Sequence, residues 1–336
     1  MMDPFTRYLP ALETTMRQAI PETGPEALYG MLRYHLGWAD TAFRPAAHKA
    51  GKRLRPLFLL LACEAQGGDW SQALPAAAAI ELLHNFTLIH DDIEDRDDTR
   101  RGRPTLWAVW GEPQAINAGD ALFTLAYRSL AHLQTTGLSP ELVLRVVARY
   151  TDTILKITEG QCLDISFETE TEIAETTYLT MIRHKTAVLI GLACELGGMI
   201  ANAPPASIAA LREFGESLGM AFQMQDDLLG LWGEPAQTGK PVGSDLRHHK
   251  KTLPILHGMT HSADFKALLT TPTSLDDAAV VRGLALLEAA GSREYVQSQA
   301  HLHHQAALMA LEQSQGGGEA QTALYTLAAQ LIGRDT

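Results

Sequence analysis

Apolar residues recur at helical spacing along most of this chain, with polar residues between them. A clear example follows the Ser-Pro-Glu sequence at 139–141, where Leu142, Val146 and Tyr150 come at intervals of four residues. Side chains at this interval share one face of a helix. A serine cap followed by a proline and an acid in the first turn also favours a helix start. The pattern therefore predicts an amphipathic helix that begins near Ser139.

Similar amphipathic patterns predict further long helices in much of the remaining chain. They span residues 71–95, 115–135, 175–200, 206–230, 275–290 and 292–313. No run of alternating β-branched residues predicts a strand, and no repeat or long linker divides the chain. We therefore expect a single all-α domain over residues 1–336. Residues 231–252 combine glycine, proline and charged residues, which indicates an ordered functional loop.

The composition narrows the class of protein. Of the 336 residues, 46% are hydrophobic, enough for a large buried core. The net charge of −12 at pH 7 argues against nucleic acid as the main partner, because proteins that bind a phosphate backbone normally present a basic surface. No apolar window reaches about 18 residues, so no membrane span is predicted. The N-terminus MMDPFTRYLP carries early charge and proline instead of an apolar signal core. Cys63, Cys162 and Cys194 form no CxxC pair, which favours reduced thiols in the cytoplasm.

The densest acidic segment, HDDIEDRDDTRRGRPT at His90–Thr105, places carboxylates directly before arginines. On a helix, His84, Asp91 and Asp95 share one face, so both aspartates can bind the same ion or ion pair. Asp92 lies about 100° around the helix, which suits a supporting role. Mg²⁺ is commonly bound through one or two carboxylates plus substrate phosphates, and guanidinium groups bind the remaining phosphate charge. The acidic run alone could equally be a solvated helix end.

A second acidic pair, Asp226-Asp227, lies in the apolar sequence MAFQMQDDLLGLWG. Ionised carboxylates in apolar surroundings need a cation or another partner. Gln223 precedes Asp226 by about one helical turn and can form hydrogen bonds on the same face. A structural acid pair at a helix end is the other interpretation.

Basic residues cluster at four places: 51–56, 100–104, 183–186, and Lys240 with Lys250 and Lys251 in the loop. Each cluster alone is weak evidence, because lysine and arginine are usually solvated. Together with two acidic motifs on helices, they supply the groups that metal-assisted ionisation of a diphosphate ester requires.

These segments together resemble the trans-isoprenyl diphosphate synthases, the polyprenyl synthetase family that includes farnesyl and geranylgeranyl diphosphate synthases. The resemblance runs from about Gly51 to Pro254: DDIED matches the first DDxxD motif, and RRGRPT and AINAGDALF follow. It implies the isoprenoid synthase fold, a bundle of long antiparallel helices around a central cavity, with the two aspartate motifs facing each other across its mouth. It also implies a homodimer.

The resemblance further implies a reaction: isopentenyl diphosphate and an allylic diphosphate condense head to tail into a short-chain all-trans prenyl diphosphate by ionisation, condensation and elimination. Asp91 and Asp95 would bind two Mg²⁺ ions and Asp226 a third. The residues implied to bind the allylic diphosphate are Arg100, Lys185 and Lys240, with Thr186, Gln223 and Lys250 close by. Those implied to bind isopentenyl diphosphate are Lys52, Arg55, His84 and Arg101.

One departure from the family pattern is that the second motif reads DDLLG, with Gly230 in place of the last aspartate of DDxxD. The first-position ligand, Asp226, is retained. We therefore expect activity to persist, with weaker metal binding or altered loop closure as the candidate consequences.

The residues just before the first motif bear on product length. In the family, bulky residues there form the floor of the elongation pocket; Phe86 and Thr87 lie five and four residues before Asp91. One aromatic with no insertion in DDIED resembles enzymes of the geranylgeranyl type, with a product of C15 to C20. Phe86 could equally be an ordinary core residue.

Two other functions are compatible with the same motifs. A class I terpene synthase would convert a single prenyl diphosphate, but it would have no use for Lys52, Arg55 and His84. A non-catalytic subunit of a prenyl synthase would not need an intact DDIED motif together with Asp226.

Overall fold

The structure is a computed structural model that describes residues 4–48, 51–170, 172–235, 241–270 and 275–332. The chain forms two compact units. The first consists of Met1–Ala148, Leu196–Pro204 and Gly317–Ala323, and the second of Arg149–Glu195, Pro205–Gly316 and Leu324–Thr336. The single domain expected from the sequence stays a prediction.

Helices dominate the first unit. Those that begin in its longest segment, Met1–Ala148, are α1 Pro4–Ala19, α2 Glu26–His35, α3 Leu54–Ala65, α4 Leu74–Glu94, α5 Leu106–Trp110, α6 Glu112–Ala131 and α7 Pro140–Phe167, with 3₁₀ turns at Trp70–Ala73 and His132–Thr135. Strands β1 Thr99–Arg100 and β2 Arg103–Pro104 form an antiparallel hairpin. Apart from this hairpin and an isolated bridge between Ala39 and Pro45, the described residues contain no β-structure, so the all-α prediction is confirmed.

Helix α4 is the centre of the first unit, where it packs on α1, α3 and α6. The residues from Ala76 to Ala79 are fully buried, and such small side chains allow neighbouring helices to approach closely. The predicted start of α7 is also confirmed, because the backbone N–H of Leu142 donates to Ser139 Oγ at 3.2 Å.

The remaining helices lie wholly or partly in the second unit. These are α8 Glu175–Ile182, α9 Val188–Ile200, α10 Pro205–Trp232, α11 Ser244–Arg247, α12 Leu253–His261, α13 Ala263–Leu269, α14 Asp277–Ala289, α15 Ser292–Gln313 and α16 Gly318–Ile332, with a π-helix at Arg183–Ala187 between α8 and α9. Helix α10 packs along α15, and the buried cluster beside them includes Tyr178, Met220 and Met224. None of the helices in the described part of the chain is long and apolar enough to cross a bilayer.

Candidate active site

The first acidic motif occupies the last turn of α4. The N–H of Asp95, the residue that ends the helix, donates to the carbonyl of Asp91 at 2.8 Å, so the two residues lie one turn apart on the same side. Asp91 is half-buried and Asp95 is exposed. This is the arrangement that the sequence predicted for two metal ligands; their role in metal binding stays a prediction.

Asp92 faces the other way and holds Arg100. Its carboxylate is only 2% exposed and accepts a hydrogen bond of 2.6 Å from Arg100 Nε. Burial raises the pKa of Asp92 to about 6, while the charge of Arg100 opposes that shift. The hairpin makes this contact possible, because its turn at Arg101 and Gly102 has positive φ at both residues and reverses the chain. Asp92 thus orients an arginine predicted to bind diphosphate.

Arg53 fixes the basic segment at 51–56. It precedes α3 in a left-handed conformation, is 4% exposed, and donates to Glu81 at 2.7 Å and Glu13 at 3.0 Å. Hydrogen bonds to two carboxylates offset the cost of burying a guanidinium. The neighbouring Lys52 is exposed. Arg53 therefore anchors the segment from inside the unit.

Arg55 and His84 form a pair on α3 and α4. Arg55 Nη1 lies 3.2 Å from His84 Nε2. Burial, followed by the charges of Arg55 and Arg101, lowers the pKa of His84 well below its usual value, so the ring is neutral. An arginine can only donate, so Nε2 accepts and the proton is on Nδ1. Among the described residues, none accepts a hydrogen bond from the buried Arg55 Nε, which leaves a donor for an anionic ligand.

The Arg101 guanidinium packs against Gly51, close to Arg55 and His84. A Cβ on Gly51 would lie 2.6 Å from Arg101 Nη2, so only a residue without a side chain lets the guanidinium lie there. Three of the four residues expected to bind isopentenyl diphosphate thus lie close together: the charges of Arg55 and Arg101 act on each other and on the His84 ring. Sequence reasoning missed His35, whose pKa burial lowers to about 3 with further contributions from nearby arginines.

In the second unit, the adjacent aspartates of α10 have opposite surroundings. Asp226 is exposed, whereas Asp227 is 2% exposed. Asp227 accepts hydrogen bonds from the Tyr178 hydroxyl at 2.5 Å, Gln223 Nε2 at 3.2 Å and the Leu253 N–H at 3.2 Å. Burial raises its pKa to about 7, and these hydrogen bonds oppose the shift. Asp227 therefore ties α8, α10 and α12 together, and Asp226 is the exposed carboxylate.

The π-helix at Arg183–Ala187 presents two predicted substrate-binding residues. Lys185 Nζ donates to Asp164 Oδ2 at 2.5 Å, and Thr186 Oγ1 donates to Gln223 Oε1 at 3.1 Å. A Cβ on Gly160 would lie 2.4 Å from the backbone nitrogen of Lys185, so this glycine lets α7 lie against the π-helix. Single-turn π-helices are frequent at functional sites. Sequence reasoning singled out neither Asp164 nor Gly160, because neither belongs to a recognisable motif.

The loop after α10 carries two more predicted residues. Lys240 lies outside the described residues. Lys250 is exposed, and its backbone N–H donates to the carbonyl of Asp245 at 2.9 Å.

Phe86 faces aromatic residues of α6. Its ring centroid lies 4.7 Å from that of His90 and 5.0 Å from that of Phe123, and Phe123 contacts Tyr127 at 5.3 Å. Thr87 donates its hydroxyl to the carbonyl of His84 at 2.9 Å. Sequence reasoning missed the aromatic pair on α6, although it lies in and just after AINAGDALF.

The carboxylates present fit the needs of Mg²⁺. No three His, Cys, Asp or Glu side chains converge among the described residues. Mg²⁺ does not require such a cluster, because it keeps several waters and binds through one or two carboxylates plus substrate phosphates. Asp91 with Asp95 in the first unit, and Asp226 in the second, supply hard oxygen donors of this kind.

Comparison with known proteins identifies the family. The family model for polyprenyl synthetase matches residues 37–281. Geranylgeranyl diphosphate synthase of Mycobacterium tuberculosis is 44% identical over 295 residues, which cover 86% of this chain and 83% of that protein. The crystal structure of polyprenyl synthetase from Streptomyces coelicolor A3(2) has a TM-score of 0.89 and 33% identity, over 97% of this chain and 98% of that chain.

A further solved structure, polyprenyl synthase from Caulobacter crescentus CB15 complexed with calcium and isoprenyl diphosphate, has a TM-score of 0.82 and 28% identity over 99% of this chain and 98% of that chain. The matched region contains both acidic motifs and all four basic clusters. The chain therefore belongs to the polyprenyl synthetase family of trans-prenyltransferases.

Proposed function

We propose that this chain condenses isopentenyl diphosphate head to tail with an allylic diphosphate to give a short-chain all-trans prenyl diphosphate of C15 to C20, with geranylgeranyl diphosphate favoured. Family membership and the similarity to geranylgeranyl diphosphate synthase support this assignment. The observation that carries it is the Arg55–His84 pair with Arg101 nearby, a partly buried cationic group suited to a diphosphate.

This basic group distinguishes a condensing enzyme from a terpene synthase on the same scaffold. A condensing enzyme must bind two diphosphates, one of which is not ionised. The neutral His84 ring carries its proton on Nδ1, and Arg55 Nε is an unsatisfied donor among the described residues. Together with Lys52 and Arg101, they match the needs of isopentenyl diphosphate.

Residues of both acidic motifs would bind the allylic diphosphate through Mg²⁺. Asp91 and Asp95 would hold two ions and Asp226 a third. When bound, Mg²⁺ stabilises the negative charge that develops on the leaving diphosphate. The solved Caulobacter relative was complexed with calcium and isoprenyl diphosphate, which supports a divalent cation here.

Charge neutralisation by Arg100 and Lys185 is the protein's own contribution to ionisation. Asp92 orients Arg100 and Asp164 orients Lys185, so neither cation has to be organised when the diphosphate binds. Lys240 would contribute from the loop, and Thr186, Gln223 and Lys250 would line the same group.

The bonds then change in three stages. The allylic C–O bond breaks and its electron pair leaves with the diphosphate, which creates a delocalised cation. The alkene of isopentenyl diphosphate attacks that cation and forms the new C–C bond. A proton leaves the adjacent carbon, and the departing diphosphate accepts it. No protein nucleophile takes part.

Phe86 is proposed as the floor of the elongation pocket, with Thr87 beside it. Its contact with Phe123 gives this floor a second aromatic ring from α6. Two packed rings close a pocket more firmly than one side chain, because each restricts the other's rotamers. This favours a product no longer than C20.

Homodimerisation and a cytoplasmic location complete the proposal. Helix α7 carries three exposed large apolar side chains, Leu144, Leu155 and Ile165. Such residues are common where subunits meet.

The assay is incubation of the purified chain with isopentenyl diphosphate and each of the C5, C10 and C15 allylic diphosphates, with and without Mg²⁺. We expect longer all-trans diphosphates only when Mg²⁺ is present. Cyclised or dephosphorylated products from a single prenyl diphosphate would identify a terpene synthase instead. A chain that is inactive alone but raises the activity of a partner synthase would be a non-catalytic subunit.

A further inference from the structure

Gly230, the glycine that ends the second acidic motif, lies against the carboxylate of Asp245. A Cβ on Gly230 would be 2.1 Å from Asp245 Oδ2 and 2.5 Å from its Cγ. Residues four apart on a helix project from the same face, so this position is one turn beyond Asp226 on α10. The Asp245 carboxylate therefore occupies the space that a side chain at position 230 would need.

The backbone of the loop brings Asp245 to this place. The N–H of Gly243 donates to the carbonyl of Leu231 at 2.9 Å, which joins the loop to the end of α10. Gly243 has a φ of 72°, a conformation that favours glycine, and α11 begins at the next residue. Asp245 is only 9% exposed. Its carboxylate is thus positioned by main-chain geometry.

Three carboxylates of the second unit lie near the buried Tyr178 hydroxyl. The pKa of that hydroxyl is raised first by burial and then by Asp227, Asp164 and Asp245. Asp164 pairs with Lys185, whereas Asp227 and Asp245 are the buried carboxylates of the three. A cation nearby lowers the cost of burying such groups.

We propose that Asp245 supplies the carboxylate that the last position of the second motif lacks, and that it acts on the same divalent cation and diphosphate as Asp226. Gly230 is the residue that makes room for it. The inference rests on the proposed function, because that function places a cation at Asp226. One consequence is unexpected: Gly230→Asp, which restores the family's motif, should harm the enzyme by placing two carboxylates in one space.

The test uses five variants of the full chain: Asp245→Asn, Asp245→Ala, Gly230→Asp, Gly230→Asp/Asp245→Ala and Gly230→Asn/Asp245→Ala. The first readout is the Mg²⁺ concentration that gives half-maximal thermal stabilisation in the presence of inorganic pyrophosphate. The second is the Mg²⁺ concentration for half-maximal turnover. Circular dichroism without ligand reports whether each variant folds.

We expect Asp245→Asn and Asp245→Ala to raise both Mg²⁺ concentrations about 10-fold, the lower end of what loss of a carboxylate near a metal costs. Gly230→Asp alone should lower the melting temperature and raise both concentrations. Gly230→Asp/Asp245→Ala should respond to Mg²⁺ much more like the wild type, because one carboxylate is restored to the space. Gly230→Asn/Asp245→Ala fills that space without charge and should not recover the response.

Two results would overturn the inference: a wild-type Mg²⁺ response in folded Asp245→Asn, or a Gly230→Asp/Asp245→Ala variant no better than Asp245→Ala. If Asp245→Asn does not fold, the Mg²⁺ responses of Gly230→Asp/Asp245→Ala and Gly230→Asn/Asp245→Ala are compared, because these variants differ in charge but hardly in size. Equal Mg²⁺ responses of the two would count against the inference. Asp226→Ala separates the two proposals. If it keeps normal turnover and a normal Mg²⁺ response, the proposed function itself fails.

Discussion

At the scale of the residue, each aspartate doublet divides into a buried carboxylate and a more accessible one. Asp92 and Asp227 are each 2% exposed, and each forms hydrogen bonds with residues expected to bind diphosphate. Neighbouring residues on a helix point about 100° apart, so a doublet cannot place both carboxylates on one ligand easily. Asp92 on α4 and Asp227 on α10, the second residue of each doublet, therefore both hold neighbouring polar side chains in place.

Removal of either proposed metal ligand, Asp91 or Asp226, should abolish turnover without unfolding the chain. We expect Asp91→Ala or Asp226→Ala to reduce Mg²⁺-dependent turnover by more than about 100-fold, because charge stabilisation of the leaving group is lost. Steady-state kinetics and circular dichroism measure the two effects. Glu312→Ala, an exposed acid on α15, is the control and should behave as the wild type. Near-normal turnover in either aspartate variant would refute the assignment.

At the scale of the element, the sequence predicts most helices well and their interruptions poorly. The predicted helix 71–95 corresponds to a 3₁₀ turn followed by α4, and 292–313 corresponds to α15. The predicted helix 175–200 contains the π-helix, which apolar periodicity does not reveal, and Gly160 on α7 lies against its backbone. Apolar periodicity indicates where a residue's own helix runs. It carries no information on which neighbouring helix lies close to that residue.

The same limit applies to the site. Asp91, Asp226 and Lys185 belong to ordered motifs and were predicted from sequence. Asp164 contacts Lys185 and Asp245 lies against Gly230, and both contacts join different elements, so no local signal identifies these two aspartates.

The close approach of α7 to the π-helix can be tested by adding one methyl group at Gly160. Gly160→Ala places a carbon 2.4 Å from the Lys185 nitrogen, and overpacking of this kind costs about 1 to 3 kcal/mol. Displacement of Lys185 should also lower kcat/KM by up to about 100-fold. Thermal melting and steady-state kinetics measure both. Gly317→Ala is the control, because nothing lies within 4 Å of its added carbon. Equal behaviour of the two variants would contradict this account.

The aromatic contact between α4 and α6 predicts product length. Phe86→Ala should lengthen the product because it opens the floor, and Phe123→Ala should act in the same direction through the neighbouring ring. Mass spectrometry of the prenyl products measures chain length. Phe265→Leu, in a different core cluster, should leave the product unchanged. An unchanged distribution in Phe86→Ala would mean that this residue belongs only to the core.

At the scale of the whole molecule, association through α7 is the first expectation. Leu144 and Leu155 are 69% and 62% exposed, so lysine at either position should shift sedimentation velocity from dimer towards monomer. Val281 on α14 is equally exposed at 68%, and Val281→Lys is the matched control that should remain a dimer. A wild-type chain that sediments as a monomer, or lysine variants that stay dimeric, would exclude this interface.

Acid sensitivity is a second global property. Burial lowers the pKa of His35 to about 3 and that of His84 well below normal, so the unfolded chain binds more protons than the folded one below about pH 6.5. Stability is therefore lost as pH falls. We expect His35→Phe to reduce, by about 1 to 2 kcal/mol, the drop in unfolding free energy between pH 7 and pH 5. Urea titrations at both pH values measure it; an unchanged pH dependence would contradict the assignment.

The unprotonated imidazole of His84 has a consequence for ligand capture. It stays unprotonated partly because guanidinium groups repel an added proton, and a bound polyanion would cancel that repulsion. Occupancy by isopentenyl diphosphate would thus be coupled to proton uptake from solvent. Calorimetric heats of binding should then differ between buffers according to their ionisation enthalpies, and affinity should strengthen as the solution becomes mildly acidic.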